Sequence, residues 1–173
     1  RRTLEYGREH GIPVVAVVGS LHVIHDSAIN AGVPRLLRTE GVLPLPMDCF
    51  PLSEDEVPGL ERLAWGDAKR ALRVGLACRA RGDAYPLLLT AFGCSPLSFG
   101  EQFNEALLAG HPHTTLESDG HGGTAGYVTR VQAFLHTVRR HDRRPSPPPT
   151  DALRWTAPLP EEPLVPGGPP LLV

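Results

Sequence analysis

The chain has 173 residues, of which 41% are apolar and 21% charged, and a formal net charge of −2, a combination typical of a single globular domain. Because phosphate binding needs a clustered excess of Lys and Arg, this charge balance excludes a strongly basic surface, and no nucleic-acid partner is expected. No apolar run approaches the about 18–20 residues that cross a bilayer, so no membrane segment is predicted.

The first part of the chain predicts two strands separated by a helix. The β-branched run at 13–19 is typical of a strand that is buried on both faces of a sheet. Residues 28–40 predict a short helix that has Pro34 in its first turn and ends at Gly41. Residues 42–48 predict a second strand, and its two prolines indicate a position at the edge of the sheet.

The rest of the chain continues this alternation. A capped helix start, a long helix, a strand, a helix, a strand and a last helix are predicted, in chain order, at 53–56, 60–81, 85–92, 98–108, 114–117 and 125–140. Alternating strands and helices favour parallel strands with helices on both faces. The predicted fold class is therefore α/β, a Rossmann-like or flavodoxin-like three-layer module with a mostly parallel four-stranded sheet.

The predicted domain organisation follows from where this alternation stops. Residues 1–142 are expected to form the Rossmann-like domain, and the proline-rich segment 143–168 an extended linker. Residues 169–173 are either the start of a following domain or the end of a disordered tail. Because the chain opens on Arg1 without a methionine, we expect a piece of a longer polypeptide.

The cysteines bear on the compartment and on possible ligands. Cys49, Cys78 and Cys94 form no CxxC pair, and an odd number without a signal peptide favours the cytoplasm over a disulfide framework. Cys78 lies on the apolar face of the predicted long helix and is expected in the core. Cys49 follows the second strand, either as a half-buried loop residue or at the same edge as Cys94.

Cys94 is the foremost candidate for chemistry. It lies between a predicted buried strand and the following helix, where backbone N–H groups and the helix dipole favour a thiolate. Such a thiolate suits metal ligation or nucleophilic attack, for which His121 in the next loop is the candidate base. The alternative is a buried structural cysteine.

The loop after the first strand begins at Gly19 and carries two polar candidates, Asp26 and Asn30. It contains neither the G-x-G-x-x-G pattern nor the G-x-x-x-x-G-K-[ST] pattern, so no dinucleotide or NTPase site is predicted by motif. Asp26 and Asn30 therefore either bind another ligand or cap a helix.

A further candidate cluster follows the fourth predicted strand. Glu117, Asp119 and His121 form an acid–base or metal site, or belong to a loop that caps the next helix. Arg130, in that helix, either assists the site or pairs with an acid. Two histidines precede the strand, at the opposite edge of the sheet, and are excluded from a shared site: His111 and His113.

Five stretches of the chain carry motifs, at 19–34, 41–48, 65–67, 89–99 and 117–130. The clearest are Gly-Val-Leu-Pro-Leu-Pro-Met-Asp at 41–48 and Thr-Ala-Phe-Gly-Cys-Ser-Pro at 90–96. In this order, and over most of the first 140 residues, they resemble the acyl-CoA dehydratase activase-related proteins. That family is related to the 2-hydroxyglutaryl-CoA dehydratase and benzoyl-CoA reductase system.

The resemblance implies that the chain is part of an ATP-driven system that sends low-potential electrons to a CoA-thioester dehydratase or reductase. It also implies that this chain alone is inactive. It implies that Cys94 is a ligand of a [4Fe–4S] cluster whose other ligands lie outside the chain. The residues that it assigns to cofactor binding are Gly19, Asp26, Asn30, Gly93, Ser95, Glu117, Asp119, His121 and Arg130. The partners that it implies are other domains of the same long chain or a second dehydratase-like subunit, and acyl-CoA.

The chain also departs from the family pattern at several polar positions. The departures are Ser20 and Leu21 for Arg and Pro, Ser95 and Leu97 for Gly and Asp, Gly120 for an acid and Thr124 for Asp. A second class of function therefore stands beside the first, a non-catalytic α/β interaction domain that kept the fold without the cluster. A thiol enzyme that uses Cys94 and His121 is a third.

Overall fold

The computed structural model describes residues 2–53, 60, 63–91, 95–118 and 124–147. The described helices are α1 (Arg2–Glu9), α2 (Leu21–His25), α3 (Val33–Thr39), α4 (Gly66–Arg81), α5 (Ser95–Leu108) and α6 (Thr124–Arg140). The described strands are β1 (Val14–Val18), β2 (Leu43–Pro46), β3 (Ala84–Ala91) and β4 (Thr114–Ser118), and a short 3-10 helix, Met47–Cys49, follows β2. Strands and helices alternate as the sequence predicts.

The four strands pair in parallel in the order β2-β1-β3-β4. Val14 of β1 is aligned with Leu43 of β2 on one side and with Ala84 of β3 on the other. Leu87 of β3 is aligned with Thr114 at the start of β4. The parallel sheet with its helices confirms the predicted α/β class, and β2 lies at an edge, as its prolines predict.

Helices cover both faces of the sheet. α4 packs against α5, and α3 against α6. The connection from β1 to β2 runs through α3, and the connection from β3 to β4 runs through α5. These two connections lead in opposite directions along the sheet. Because parallel crossovers are right-handed, α3 and α5 therefore lie on opposite faces. Between these layers β1 is buried throughout and β3 everywhere except at Ala91, which explains their continuous apolar sequences. Among the described residues, no helix has the length and the apolar character that crossing a membrane requires.

The helix predicted over 28–40 begins later than predicted. Its structural counterpart, α3, starts at Val33, and Pro34 lies in its first turn as predicted. The preceding residues Ala31 and Gly32 have φ angles of 50° and 70°. These left-handed conformations cannot continue a right-handed helix, so the prediction for 28–32 is wrong.

The long helix predicted from about residue 60 also begins later, at Gly66. Leu60 and Leu63 are buried without being helical, and they pack with side chains of α4 and α5 in a second, smaller core. Leu60 and Leu63 are therefore buried before α4 begins, by packing against α4 and α5. Their spacing in the sequence does not reflect a helical turn.

Smaller differences concern the other element ends. α1 was not predicted, β2 ends two residues earlier than predicted, and α5 begins at Ser95 instead of 98, with Pro96 in its first turn. The predicted capped start at 53–56 lies, apart from its first residue, outside the described residues, and so do the last residue of the predicted strand at 85–92 and all of 148–173.

The first residues of the predicted linker, 143–147, lie against the amino edge of the sheet. Arg79, near the end of α4 and only 8% exposed, donates hydrogen bonds to the Pro147 carbonyl at 2.8 Å and to Ser146 Oγ at 3.1 Å. The same guanidinium donates to the Ala109 carbonyl just beyond α5. Arg79 thus connects this segment to two helices.

Replacing Arg79 with methionine is expected to destabilise the domain by about 2 kcal/mol, because buried carbonyl acceptors lose their donor while the volume is kept. Chemical denaturation would compare Arg79→Met with Arg38→Met, which changes an exposed arginine of α3. Equal free energies of unfolding for the two variants would show that the hydrogen bonds of Arg79 contribute nothing.

Candidate functional site

The neighbouring strands β1 and β3 lead the chain to opposite edges of the sheet. From β1 the chain continues to β2 at one edge, and from β3 it continues to β4 at the other. At such a point the loops diverge and leave a crevice outside the carboxyl ends of the strands, where ligands of open α/β sheets bind. The segments 19–32 and 92–94 follow these two strands. We name the region outside the ends of β1 and β3 the carboxyl-edge crevice; it is the candidate site.

Gly19 closes β1 and lies tightly against β3. Its φ angle is 152°, and a Cβ atom at this position would overlap the Leu89 carbonyl oxygen and lie 3.2 Å from Ile24 Cγ2. The close approach of two backbones gives a steric reason for glycine here. The predicted role of Gly19 in cofactor binding stays a prediction.

Asp26 and Asn30 hold the loop after β1 in shape. Asp26 Oδ1 accepts hydrogen bonds from the backbone N–H groups of Ala28 and Ile29, at 2.8 and 3.3 Å. The Asn30 side chain is only 6% exposed; it donates to the Ile24 carbonyl at 3.1 Å and accepts from the N–H of Gly32 at 2.9 Å. Both residues therefore act locally in capping the turn, and ligand binding by them stays a prediction.

The end of β4 is tied to the same loop. The Ser118 hydroxyl donates a hydrogen bond to the Ile29 carbonyl. Glu117 is exposed, and its backbone carbonyl accepts a hydrogen bond from the Tyr127 hydroxyl at 3.1 Å. Arg130 lies in a groove beside the first residues of β4, away from Ser118. The structure therefore does not bring Arg130 to the crevice together with Ser118, and its site role stays a prediction.

Four predicted site residues lie outside the described residues: the metal ligand Cys94 and its neighbours Gly93, Asp119 and His121. What the structure does give is their setting in the chain: β3 ends at Ala91, and α5 begins at Ser95. The predicted strand before Cys94 and the predicted helix after it are therefore confirmed; β3 ends one residue earlier and α5 begins three residues earlier than predicted.

The other two cysteines differ sharply in their surroundings. Cys78 is fully buried in the core, as predicted, and this burial raises the pKa of its thiol well above the ordinary value. Cys49 is exposed just after β2. In the described part of the chain, no three side chains of His, Cys, Asp or Glu come close enough together to hold a metal ion.

Two polar contacts at this edge were not singled out by the sequence analysis. His25, at the end of α2, lies with its Nε2 atom 3.0 Å from Asp48 Oδ1, just after β2. The carboxylate of Asp67, in the first turn of α4, accepts the N–H of Leu21 at 3.2 Å. The only local signal was that these polar residues follow strand ends or begin a helix.

The histidines before β4 lie at the amino edge, as predicted. His111 is 2% exposed; its Nε2–H group donates to the Ala84 carbonyl at 3.0 Å, and its ring stacks on Tyr85 with centroids 5.4 Å apart. The His141 ring meets both rings edge-on. His113 donates through Nδ1 to the His111 carbonyl at 2.8 Å. This histidine cluster does not contribute to the carboxyl-edge crevice.

Comparisons with known proteins do not assign this chain to a family. No protein-family model matches the chain, and searches of curated proteins and of solved structures found no match. The family suggested by the five motifs therefore stays a prediction.

Proposed function

We propose that this chain is the iron–sulfur-associated domain of a 2-hydroxyacyl-CoA dehydratase activase-related protein, within an ATP-driven system that delivers low-potential electrons to CoA thioesters. The observation that supports this most is the setting of Cys94 in the chain. Only residues 92–94 connect the end of β3 to the start of α5, beside the point where the strand order reverses.

The chemistry of this position suits a metal-bound thiolate. α5 is 14 residues long, and the free N–H groups of its first turn favour negative charge at its start. Thiolates are the standard ligands of [4Fe–4S] clusters, and a bound cluster supplies one-electron transfer at low potential. Since one matched cysteine cannot hold a cluster, the other ligands would come from other segments of polypeptide or from a second subunit.

In this proposal the loop after β1 forms one fixed wall of the carboxyl-edge crevice. Asp26 and Asn30 hold its turns from within, and Ser118 ties it to β4. A site is held precisely when the segments around it are themselves held by hydrogen bonds. In the proposal, this wall and the residues after β3 form the surface that meets the cluster or its electron partner.

A non-catalytic interaction domain is the second candidate. The observation that favours it is the replacement of several polar positions of the family pattern, since loss of ligand contacts leaves a fold without its chemistry. The two candidates differ in whether the protein contains iron.

Full-length protein purified without oxygen is expected to contain iron and sulfide in equal amounts and to show the broad visible absorption of a cluster. The Cys94→Ala variant is expected to lose most of both, because a cluster ligand is removed. Cys78→Ala is the matched control; its sulfur is buried in the core and cannot ligate, so this variant should retain its iron.

Two results would contradict the proposal. Iron retained in Cys94→Ala would exclude Cys94 as a ligand. A native protein without iron, purified and reconstituted in the absence of oxygen, would favour the interaction domain.

A further inference from the structure

A buried arginine at the amino edge of the sheet has a positive charge that no described acid neutralises. Arg79 is 8% exposed, and its guanidinium donates hydrogen bonds only to uncharged groups. These acceptors are three carbonyls and one hydroxyl, those of Leu107, Ala109, Pro147 and Ser146. Among the described residues, no carboxylate lies within ion-pair distance of this guanidinium. Because a buried charge is costly unless an opposite charge accompanies it, this position favours an anion.

The Ser146 hydroxyl lies where such an anion would be attached. Its Oγ atom accepts a hydrogen bond from Arg79 Nη2 at 3.1 Å, and its backbone N–H donates to the Arg79 carbonyl at 3.1 Å. A phosphoryl group on Oγ would place three strong acceptor oxygens beside Nη2. A guanidinium has five N–H groups, and the four hydrogen bonds to described residues leave one N–H, on Nη2, for such an oxygen.

The residues around Ser146 are accessible to an enzyme. Ser146 is half-buried, whereas its neighbours on both sides are exposed, namely Arg143, Arg144, Pro145 and Pro147. The two arginines give an enzyme with an acidic substrate groove charges to bind, and Pro147 confines the serine before it to extended conformations. A segment of this kind, beyond the last helix, opens locally at a lower free energy than the core. Ser146 therefore reaches an enzyme without unfolding of the domain.

We infer that Ser146 is a phosphorylation site whose phosphate is bound by the guanidinium of Arg79. In a protein kinase, Ser146 Oγ attacks the γ-phosphorus of ATP. A new O–P bond forms, the bond to the bridging oxygen breaks, ADP leaves, and the hydroxyl proton passes to the base of the kinase. The charge-assisted hydrogen bonds then hold residues 143–147 more firmly against the end of α4.

The consequence concerns the connection to the rest of the chain. Because the proline-rich sequence continues from Pro147, the phosphate fixes where that sequence leaves the domain. This place is at the amino edge of the sheet, opposite the carboxyl-edge crevice. The inference does not depend on the proposed iron–sulfur function.

The modification is tested with the full-length protein, Mg-ATP and a proline-directed serine kinase. Mass spectrometry is expected to find one phosphate on Ser146, and Ser146→Ala should take up none at this position. A peptide of residues 140–149 is the matched substrate, since it has the same sequence without Arg79. A kinase that modified the peptide but not the protein would show that the segment does not open. A kinase that modified neither would show that the sequence is not a substrate, and either result would overturn the inference.

Phosphorus NMR and amide exchange test the contact of the phosphate with Arg79. The guanidinium should lower the second pKa of the phosphate below the about 6 of an exposed phosphoserine. The Ser146 amide should exchange about tenfold more slowly after modification, the magnitude of one charge-assisted hydrogen bond. Arg79→Met should abolish both effects, and Arg79→Lys, which keeps the charge, should retain part of the pKa shift. Arg38→Met removes an exposed charge of α3 and should change neither.

Two results would overturn the phosphate contact. The first is a phosphate that titrates alike in the native protein and in Arg79→Met, with both shown to be folded by circular dichroism. The second is an unmodified protein in which an excess of inorganic phosphate slows exchange of the Ser146 amide as much as phosphorylation does. That result would assign the site to a free anion and not to a modified serine.

Discussion

The Gly19→Ala variant is expected to lose about 3 kcal/mol or more of its free energy of unfolding. A Cβ atom at this position would overlap the Leu89 carbonyl oxygen. That oxygen belongs to β3, which is held between β1 and β4, so it cannot move aside as a flexible side chain would. Overpacking of this kind costs about 1–3 kcal/mol, and the φ angle of 152° adds about 1 kcal/mol or more for a residue with a side chain.

Two control variants at other glycines separate the cost of the steric overlap with Leu89 from backbone strain and helix propensity. Gly41 has a φ angle of 78° with nothing near its missing Cβ atom, so Gly41→Ala measures backbone strain alone, about 1 kcal/mol. Gly126 lies in α6 in open space, and Gly126→Ala should stabilise the helix slightly. Urea denaturation followed by circular dichroism gives all three values. If Gly19→Ala cost no more than Gly41→Ala, the close approach of β1 and β3 would be wrong.

The centre of the sheet could be predicted because β1 and β3 are buried on both faces. The residues of β1 are all Val or Ala, and all are buried, so no alternation with polar residues interrupts the pattern. The start of α3 could not be predicted in the same way. Ala31 adopts a left-handed φ of 50°, a conformation that alanine rarely adopts and that no neighbouring motif announces.

The location of the candidate site could be predicted, because the carboxyl ends of parallel strands meet at one edge of the sheet. Its contacts could not be predicted. His25 and Asp48 are 23 positions apart and meet only because β1 and β2 pair in one register. The contacts of Arg79 with residues 146 and 147 span 67 and 68 positions, and an arginine that binds carbonyl groups has no charged partner to reveal it in the sequence.

Acid is expected to destabilise the domain through His111. The pKa of this ring is lowered from 6.5 to about 4, and burial is the largest cause. The hydrogen bond to the Ala84 carbonyl opposes the shift, while the charges of His141, Arg79 and His113 act in the same direction as burial. The folded protein therefore keeps His111 neutral in a range of pH where an unfolded chain binds a proton.

The direction of the effect follows from this difference in proton binding. Between pH 6.5 and pH 4, the unfolded chain holds the proton that the folded protein excludes, so the free energy of unfolding falls as the pH falls. The contribution of His111 is fully present above pH 6.5 and is lost toward pH 4. The whole loss amounts to about 2–3 kcal/mol.

Urea denaturation at several pH values between about 7 and 4 would measure this loss, with His111→Gln as the test variant. The glutamine amide can still donate to the Ala84 carbonyl but does not titrate, so the variant should lose less stability on acidification than the native protein. His136→Gln, at an exposed histidine of α6, makes the same substitution away from this ring cluster and is the control variant. Because other groups also titrate in this range, the difference between the two variants is the decisive quantity. If it were zero, the His111 ring would have to be solvated, and the packing of its loop against Tyr85 would be wrong.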